Sequence, residues 1–298
     1  MSKPSAESTP PVLPIAEATE LLRRELASDI GSGDVTSEIV VPEGSQLTAR
    51  LIAREEAVLC GVELFALAFR LVSEAVECRL EAADGARMAP GDVAAEVAGP
   101  ARAVLSAERT ALNVVCHLSG IATLSSRFVE AVRGTGAAIL DTRKTLPGLR
   151  GLQKYAVAVG GGVNHRMGLH KMVLIKDNHV AVAARPPADL ARKAASESHV
   201  PVEVEIDSVD DLPEALSSGA DYILLDNFST ADLERSVEIA RRFATEHGSR
   251  PELEASGGVE LDTVRAVAAT GVDRISVGAL THSARAADFG LDFVLCGK

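Results

Sequence analysis

Five charged residues sit at or just beyond the ends of short apolar runs in the second half of this chain. Arg143 and Lys144 follow Ala138-Ile139-Leu140, Lys176 follows Met172-Val-Leu-Ile175, Glu205 closes Val202-Glu-Val-Glu205, and Asp226 follows Tyr222-Ile-Leu-Leu225. With His165 and Arg166, the basic members form a cationic group suited to carboxylates and phosphates. Arg can grip an anion in a bidentate fork, and Lys adds a compact charge. Glu205 and Asp226 are oxygen acceptors for hydroxyls, for a Mg²⁺ ion or its waters, or for positive charge developing in a reaction. Ser256-Gly257-Gly258 and Gly278-Ala279 offer backbone N–H groups after two later runs, a position that favours phosphate, and His282 follows the second. Each feature alone has an ordinary alternative: a solvated loop charge, a tight turn or a surface histidine. Charges on four successive runs, with glycine turns after the last two, point instead to one shared site.

The elements that must position these residues follow from periodicity. Each run is short and apolar and is followed by a helical stretch, which reads as repeated strand-then-helix units. Gly219-Ala-Asp221 and Gly271-Val-Asp273 precede two of the strands and mark helix C-terminal turns. About six strands are expected, parallel and covered by helices, as an incomplete (β/α) barrel whose carboxyl ends carry the site. Before it, helical spacing from Ile15 to Leu26 ends in a turn over residues 29–34. A half-buried strand is expected from Gln46, with Leu47, Ala49, Leu51 and Ala53 on one side, and then a helix over 62–72. Short strands cut by Asp84-Gly85, Pro90-Gly91 and Gly99-Pro100 follow, and then helix from Val104 to Val132, read as two. The expected fold class is α/β: an N-terminal α+β (α/β sandwich) domain at 13–112 with a tail at 283–298, and a barrel at 113–282.

The totals exclude several classes of function. The 298 residues carry a formal charge of −12, which disfavours nucleic acid and anionic membranes as partners. Hydrophobic residues are 47% and aromatics 3%, a composition suited to Ala, Val, Leu and Ile strands buried on both faces. Cys60, Cys78, Cys116 and Cys296 have no metal-ligand spacing and are read as free thiols in a reducing compartment. Residues 1–12 are rich in Ser and Pro and read as a disordered tail rather than a targeting segment. No apolar run is long enough to cross a membrane, and the expected location is the cytoplasm.

A set of segments, in this order, resembles the quinolinate phosphoribosyltransferase family (nicotinate-nucleotide pyrophosphorylase, carboxylating). They are Asp-Ile-Gly-Ser-Gly-Asp-Val-Thr at 29–36, Glu-Arg-Thr-Ala-Leu-Asn at 108–113 and Leu-Ser-Gly-Ile-Ala-Thr at 118–123. Asp-Thr-Arg-Lys-Thr-Leu-Pro-Gly-Leu-Arg at 141–150, Lys-Tyr-Ala at 154–156, Gly-Gly-Gly-Val-Asn-His-Arg at 160–166 and Leu-Ile-Lys-Asp-Asn-His at 174–179 continue it. Glu-Val-Glu at 203–205, Leu-Asp-Asn at 225–227, Glu-Ala-Ser-Gly-Gly at 254–258 and Ile-Ser-Val-Gly-Ala-Leu-Thr-His at 275–282 complete it. The chain departs from the family pattern at Val157-Ala158-Val159 and at Lys171-Met172, outside the motif contacts.

The resemblance implies a type II phosphoribosyltransferase-like fold. It also implies transfer of phosphoribosyl from phosphoribosyl pyrophosphate to quinolinate with decarboxylation, using Mg²⁺, in a homodimer or larger homo-oligomer. By the same resemblance Arg109 reaches into a partner subunit's site, and Arg143, His165, Arg166 and Lys176 hold quinolinate. Lys144, Glu205 and Asp226 face the phosphoribosyl group and the metal, and Ser256, Gly257, Gly258, Gly278 and His282 line the phosphate site. Lys144, Lys176, Glu205 and Asp226 carry the catalytic roles. Three other functions fit the residues: a superfamily relative with a different acceptor (a molybdenum-operon homologue), a barrel lyase forming a Schiff base on Lys176, and a non-catalytic binder of phosphorylated ligands.

Overall fold

The computed structural model describes residues 11–294. Residues 1–10 of the expected tail, and Cys296, lie outside the described residues. The chain opens with helices α1 (Ile15–Ile30) and α2 (Val35–Val40), strands β1 (Gln46–Ala53) and β2 (Ala57–Val58), and helix α3 (Val62–Val72). Strands β3 (Glu77–Leu80), β4 (Arg87–Met88) and β5 (Val93–Pro100) lead into helix α4 (Ala101–Ala131). Next come β6 (Ala138–Leu140), α5 (Arg150–Val159), β7 (Val173–Ile175), α6 (Asp177–Ala183), α7 (Pro187–Glu197), β8 (Val202–Ile206) and α8 (Leu212–Leu216). The chain closes with β9 (Tyr222–Asp226), α9 (Thr230–His247), β10 (Glu252–Ser256), α10 (Val264–Ala269), β11 (Arg274–Ser276), α11 (Ala279–His282) and β12 (Phe289–Phe293).

Two compact units share these elements. Among the described residues, the first takes the chain up to Ser126, then Gly148–Gly161, and residues 284–294. Its antiparallel sheet has the order β12-β1-β5-β3. The alternation in β1 buries Ala49, Leu51 and Ala53 on one face, and the returning strand β12 pairs along β1, with Leu51 opposite Leu291. Two expectations for this region are corrected. The helix expected as two is a single α4, because no glycine or proline signal strong enough to break it falls in the run. Helix α1 continues to Ile30, and Asp34 accepts a hydrogen bond from the Ser37 N–H at 3.0 Å to cap α2. The thiols of Cys60, Cys78 and Cys116 are free.

The second unit comprises Arg127–Pro147 and Gly162–Ser283. Its six strands are parallel in the order β6-β11-β10-β9-β8-β7. Consecutive strands are therefore neighbours except at the seam between β6 and β7. There Val163 forms an isolated parallel bridge with Leu140. One cavity is lined by residues from all six strands or their ends, an arrangement a flat sheet cannot produce. This is the expected incomplete barrel.

The Gly-x-Asp repeats explain how neighbouring strands keep register. Gly219 and Gly271 turn at φ 85° and 91°. The aspartate two residues on then accepts an N–H at the start of the neighbouring strand: Asp221 from Val202, the first residue of β8, and Asp273 from Leu253, the second of β10, each at 2.8 Å. Asp273 also takes both arms of Arg250, at 2.7 and 2.9 Å. No helix among the described residues is long and apolar enough to cross a membrane.

Candidate active site

Alternation along each barrel strand sends every second residue inward, so Glu203 and Glu205 share a face, as do Glu252, Glu254 and Ser256. The inward residues near the carboxyl ends enclose a cavity of about 450 Å³. Four cations, Arg143, Lys144, Arg166 and Lys176, line it together with the carboxylates Glu205 and Asp226. His165 and Ser256 also line it. Thr142, Glu254 and Ser276 have no role assigned from sequence and lie in the same lining.

Arg143 and Arg166 bring two guanidinium charges near each other in this cavity. Burial and the neighbouring Arg143 charge both lower the Arg166 guanidinium from its ordinary value, with Glu203 opposing them. Such a group gains from any carboxylate or phosphate that enters. Arg166 is itself buried, and its Nη1 donates to the Met172 carbonyl at 3.0 Å. Only the backbone of residue 172 is used, so the family departure at Met172 leaves this contact unaffected. Lys176 hydrogen-bonds and ion-pairs with Glu205 across adjacent strands.

The segment carrying Arg166 is anchored at successive residues. Asp141, fully buried at the end of β6, accepts from the Asn164 side chain at 2.7 Å and from the His165 N–H at 2.8 Å. His165 Nδ1 in turn accepts from the Arg166 N–H at 2.7 Å. Its Nε2 lies 3.0 Å from Glu203 and 3.4 Å from Glu254. Both ring nitrogens thus face protein groups. Burial opposes a charged ring, but the adjacent Glu203 and Glu254 outweigh it and push the imidazole up to about 9. With Nδ1 beside the Arg166 amide, Nε2 is the nitrogen that faces the two carboxylates.

Beneath His165 the barrel lumen is charged. Arg274 Nε lies 2.8 Å from Glu254, Ser276 donates to the same carboxylate, and the guanidinium stacks 4.0 Å above the Tyr222 ring. Donor atoms of His165, Glu203 and Glu254 lie within 4.8 Å of one another, as in a cation site, but Arg274 already supplies positive charge there. The chemistry of Glu205 and Asp226 fits a Mg²⁺ ion. They are carboxylates on adjacent strands at the open end of the cavity, the hard oxygen donors this ion takes.

The glycine turns divide. Ser256 lines the cavity, and Gly257 and Gly258 follow it at φ 99° and 58°. A Cβ on Gly257 would lie 2.2 Å from Asn227 Oδ1 and 2.9 Å from the Asn227 backbone N. Substitution Gly257→Ala is expected to distort this turn and raise the Michaelis constant for a phosphorylated substrate about tenfold or more. Gly258→Ala meets no atom within 4 Å, only the left-handed φ, and should do less. Steady-state kinetics on both variants checks the ordering. Gly278 lies close to His282 and to the Lys144 side chain, and Thr281 Oγ1 donates to the Lys144 carbonyl at 2.7 Å. His282 is exposed and engages Ser283. Arg109 is exposed on α4 in the first unit and is not among the residues lining the cavity.

Residues 121–292 match the model of the quinolinate phosphoribosyl transferase C-terminal domain, and residues 34–119 match that of the N-terminal domain. The chain belongs to the quinolinate phosphoribosyl transferase family. It is 46% identical over 280 residues to the nicotinate-nucleotide pyrophosphorylase [carboxylating] of Mycobacterium leprae, covering 92% of this chain and 96% of that one. It is 41% identical to the probable nicotinate-nucleotide pyrophosphorylase [carboxylating] of Bacillus subtilis, over 94% of each. The solved nicotinate-nucleotide pyrophosphorylase of Francisella tularensis superposes with a TM-score of 0.89 at 38% identity, covering 96% of this chain and 99% of that one. One cavity in this chain brings together four cations and two carboxylates at the barrel's strand ends.

Proposed function

We infer that this chain transfers phosphoribosyl from phosphoribosyl pyrophosphate to quinolinate and decarboxylates the product to nicotinate mononucleotide, a step of NAD biosynthesis. The observation that carries this reading is the single cavity that Arg143, Lys144, Arg166 and Lys176 line together with Glu205 and Asp226. Arg143, Arg166 and Lys176 hold the two quinolinate carboxylates, and Lys144 meets the donor. Ser256, Gly257, Gly258, Gly278 and His282 take the 5′-phosphate.

The pyridine nitrogen attacks C1 of the donor as the bond from C1 to the pyrophosphate oxygen breaks. Glu205 and Asp226 stabilise the positive charge that develops on the ribose. Glu205 and Asp226 would hold Mg²⁺, directly or through water, and the ion would supply positive charge to offset that on the pyrophosphate leaving group. The new pyridinium withdraws electrons, so the carboxylate beside nitrogen leaves as CO₂. The electron pair stays on the ring carbon and takes up a proton. Positioning and electrostatics suffice, and no covalent enzyme intermediate is required.

The deciding assay supplies quinolinate, phosphoribosyl pyrophosphate and Mg²⁺ and follows pyrophosphate and nicotinate mononucleotide together. Folded protein that forms neither product would refute the reading. Trapping of Lys176 by borohydride in the presence of substrate would favour a Schiff-base lyase instead. A different acceptor, with quinolinate inert, would mark a superfamily relative.

We also propose a homodimer or larger homo-oligomer in which Arg109 completes a partner subunit's site. Exposure of Arg109 on α4 supports this. Arg109→Ala and Arg166→Ala should each be nearly inactive alone, and mixed dimers should recover up to about a quarter of wild-type activity, since one of two sites is then intact in half the population. Verified mixed dimers without recovery count against sharing. We propose a cytoplasmic location, which the free thiols of Cys60, Cys78 and Cys116 support.

A further inference from the structure

We propose that Glu203 and Glu254 are positioning residues for the acceptor's carboxylates, acting through His165 to fix Arg166. This rests on the transferase reading and deepens it. The two glutamates project from β8 and β10, strands separated by β9, and meet His165 inside the barrel lumen. Both are fully buried.

The carboxyl of Glu203 has His165 Nε2 at 3.0 Å as its one polar side-chain contact among the described residues, and burial pushes it above its ordinary value. A buried carboxyl group held by so little opposes folding, because one contact does not offset its desolvation. A leucine or methionine at 203 would serve packing better. What the glutamate does supply is direction. The Nε2 edge of the imidazole is drawn to the carboxylates, which turns Nδ1 to the Arg166 amide. Arg274 and Ser276 hold Glu254 in place from the opposite side.

The need for such a brace is visible in the chain before it. Gly160, Gly161 and Gly162 give the approach to this segment much backbone freedom. Asp141 fixes Asn164 and the His165 backbone, but neither contact orients the residue that follows. The His165 ring is the link between the rigid lumen and the Arg166 backbone. His165 therefore serves anion binding without presenting a ring nitrogen to the anion.

The test is a double-mutant cycle with Glu203→Gln and His165→Gln. Glu203→Gln should raise the Michaelis constant for quinolinate about tenfold or more and leave that for phosphoribosyl pyrophosphate within about twofold. If the two residues act in one path, the double variant is no worse than the worse single within about twofold. Unchanged quinolinate binding in folded Glu203→Gln overturns the proposal, as does a double variant whose loss is the product of both singles. Should Glu203→Gln fail to fold, Ser276→Ala removes one contact to Glu254 and should raise the same constant about two- to fourfold, and no rise there overturns it. Turnover by the wild-type protein separates the two readings. Its absence refutes the reaction, whereas turnover with unchanged variant constants refutes the brace alone.

Discussion

Replacing Arg166 by alanine is expected to lower kcat/KM for quinolinate about a hundred- to ten-thousandfold while the donor's Michaelis constant stays nearly constant. Charge-assisted hydrogen bonds are worth about 1.5–3 kcal/mol each, and a guanidinium gripping a carboxylate loses two at once. At about 1.4 kcal/mol per decade, that loss gives the stated range. Folding stability should not fall in proportion. The Arg166 guanidinium is disfavoured by burial and by repulsion from Arg143, so truncation relieves an unfavourable arrangement while giving up the bond to the Met172 carbonyl and the attraction of Glu203. Thermal melts beside the kinetics test this separation. An Arg166→Ala protein that loses donor and quinolinate affinity equally, or melts far below the wild type, would contradict the assignment.

Glu205→Gln should act on the other half of the reaction. It removes one of two carboxylates facing the ribose and leaves Lys176 without the partner it holds in this structure. Removal of a preorganised charge from a transition state costs about 10²–10³ in rate. The loss should appear in kcat, with the quinolinate Michaelis constant little changed, because Lys176 remains available to the acceptor. Titration of Mg²⁺ against activity should also require a higher metal concentration, as one oxygen ligand has become neutral. A Glu205→Gln enzyme with kcat within threefold of the wild type would remove Glu205 from the mechanism.

Much of the site is legible in the order of residues alone. Arg143, Lys144, Lys176, Glu205 and Asp226 end successive apolar runs, and a chain that repeats strand and helix brings such ends to one mouth. The Gly-x-Asp pairs also signal their turns, although their clamping of the neighbouring strand does not follow from the pattern. Glu203, Glu254, Arg274 and Ser276 carry no comparable signal. Their inward phase is implicit in the two-residue alternation with Glu205 and Ser256, but hydrophilic residues within a short strand read equally well as a solvated face. His165 is expected from sequence to face an anion, and its ring is instead engaged by Glu203, Glu254 and the Arg166 amide.

Local sequence is therefore sufficient to specify the strand-helix repeat, the signs of charge at the barrel mouth and the turns that carry glycine. Those features depend on neighbours within a few residues, through periodicity, capping and backbone sterics. The lumen is another matter. β8 and β10 never pair, and His165 comes from the segment beside the open seam. Only curling of the six strands around a common axis brings these three together, and only the loss of water there makes their charges depend on one another. Sequence determined which groups stand at the mouth of the barrel, and tertiary structure decided how Arg166 is held there.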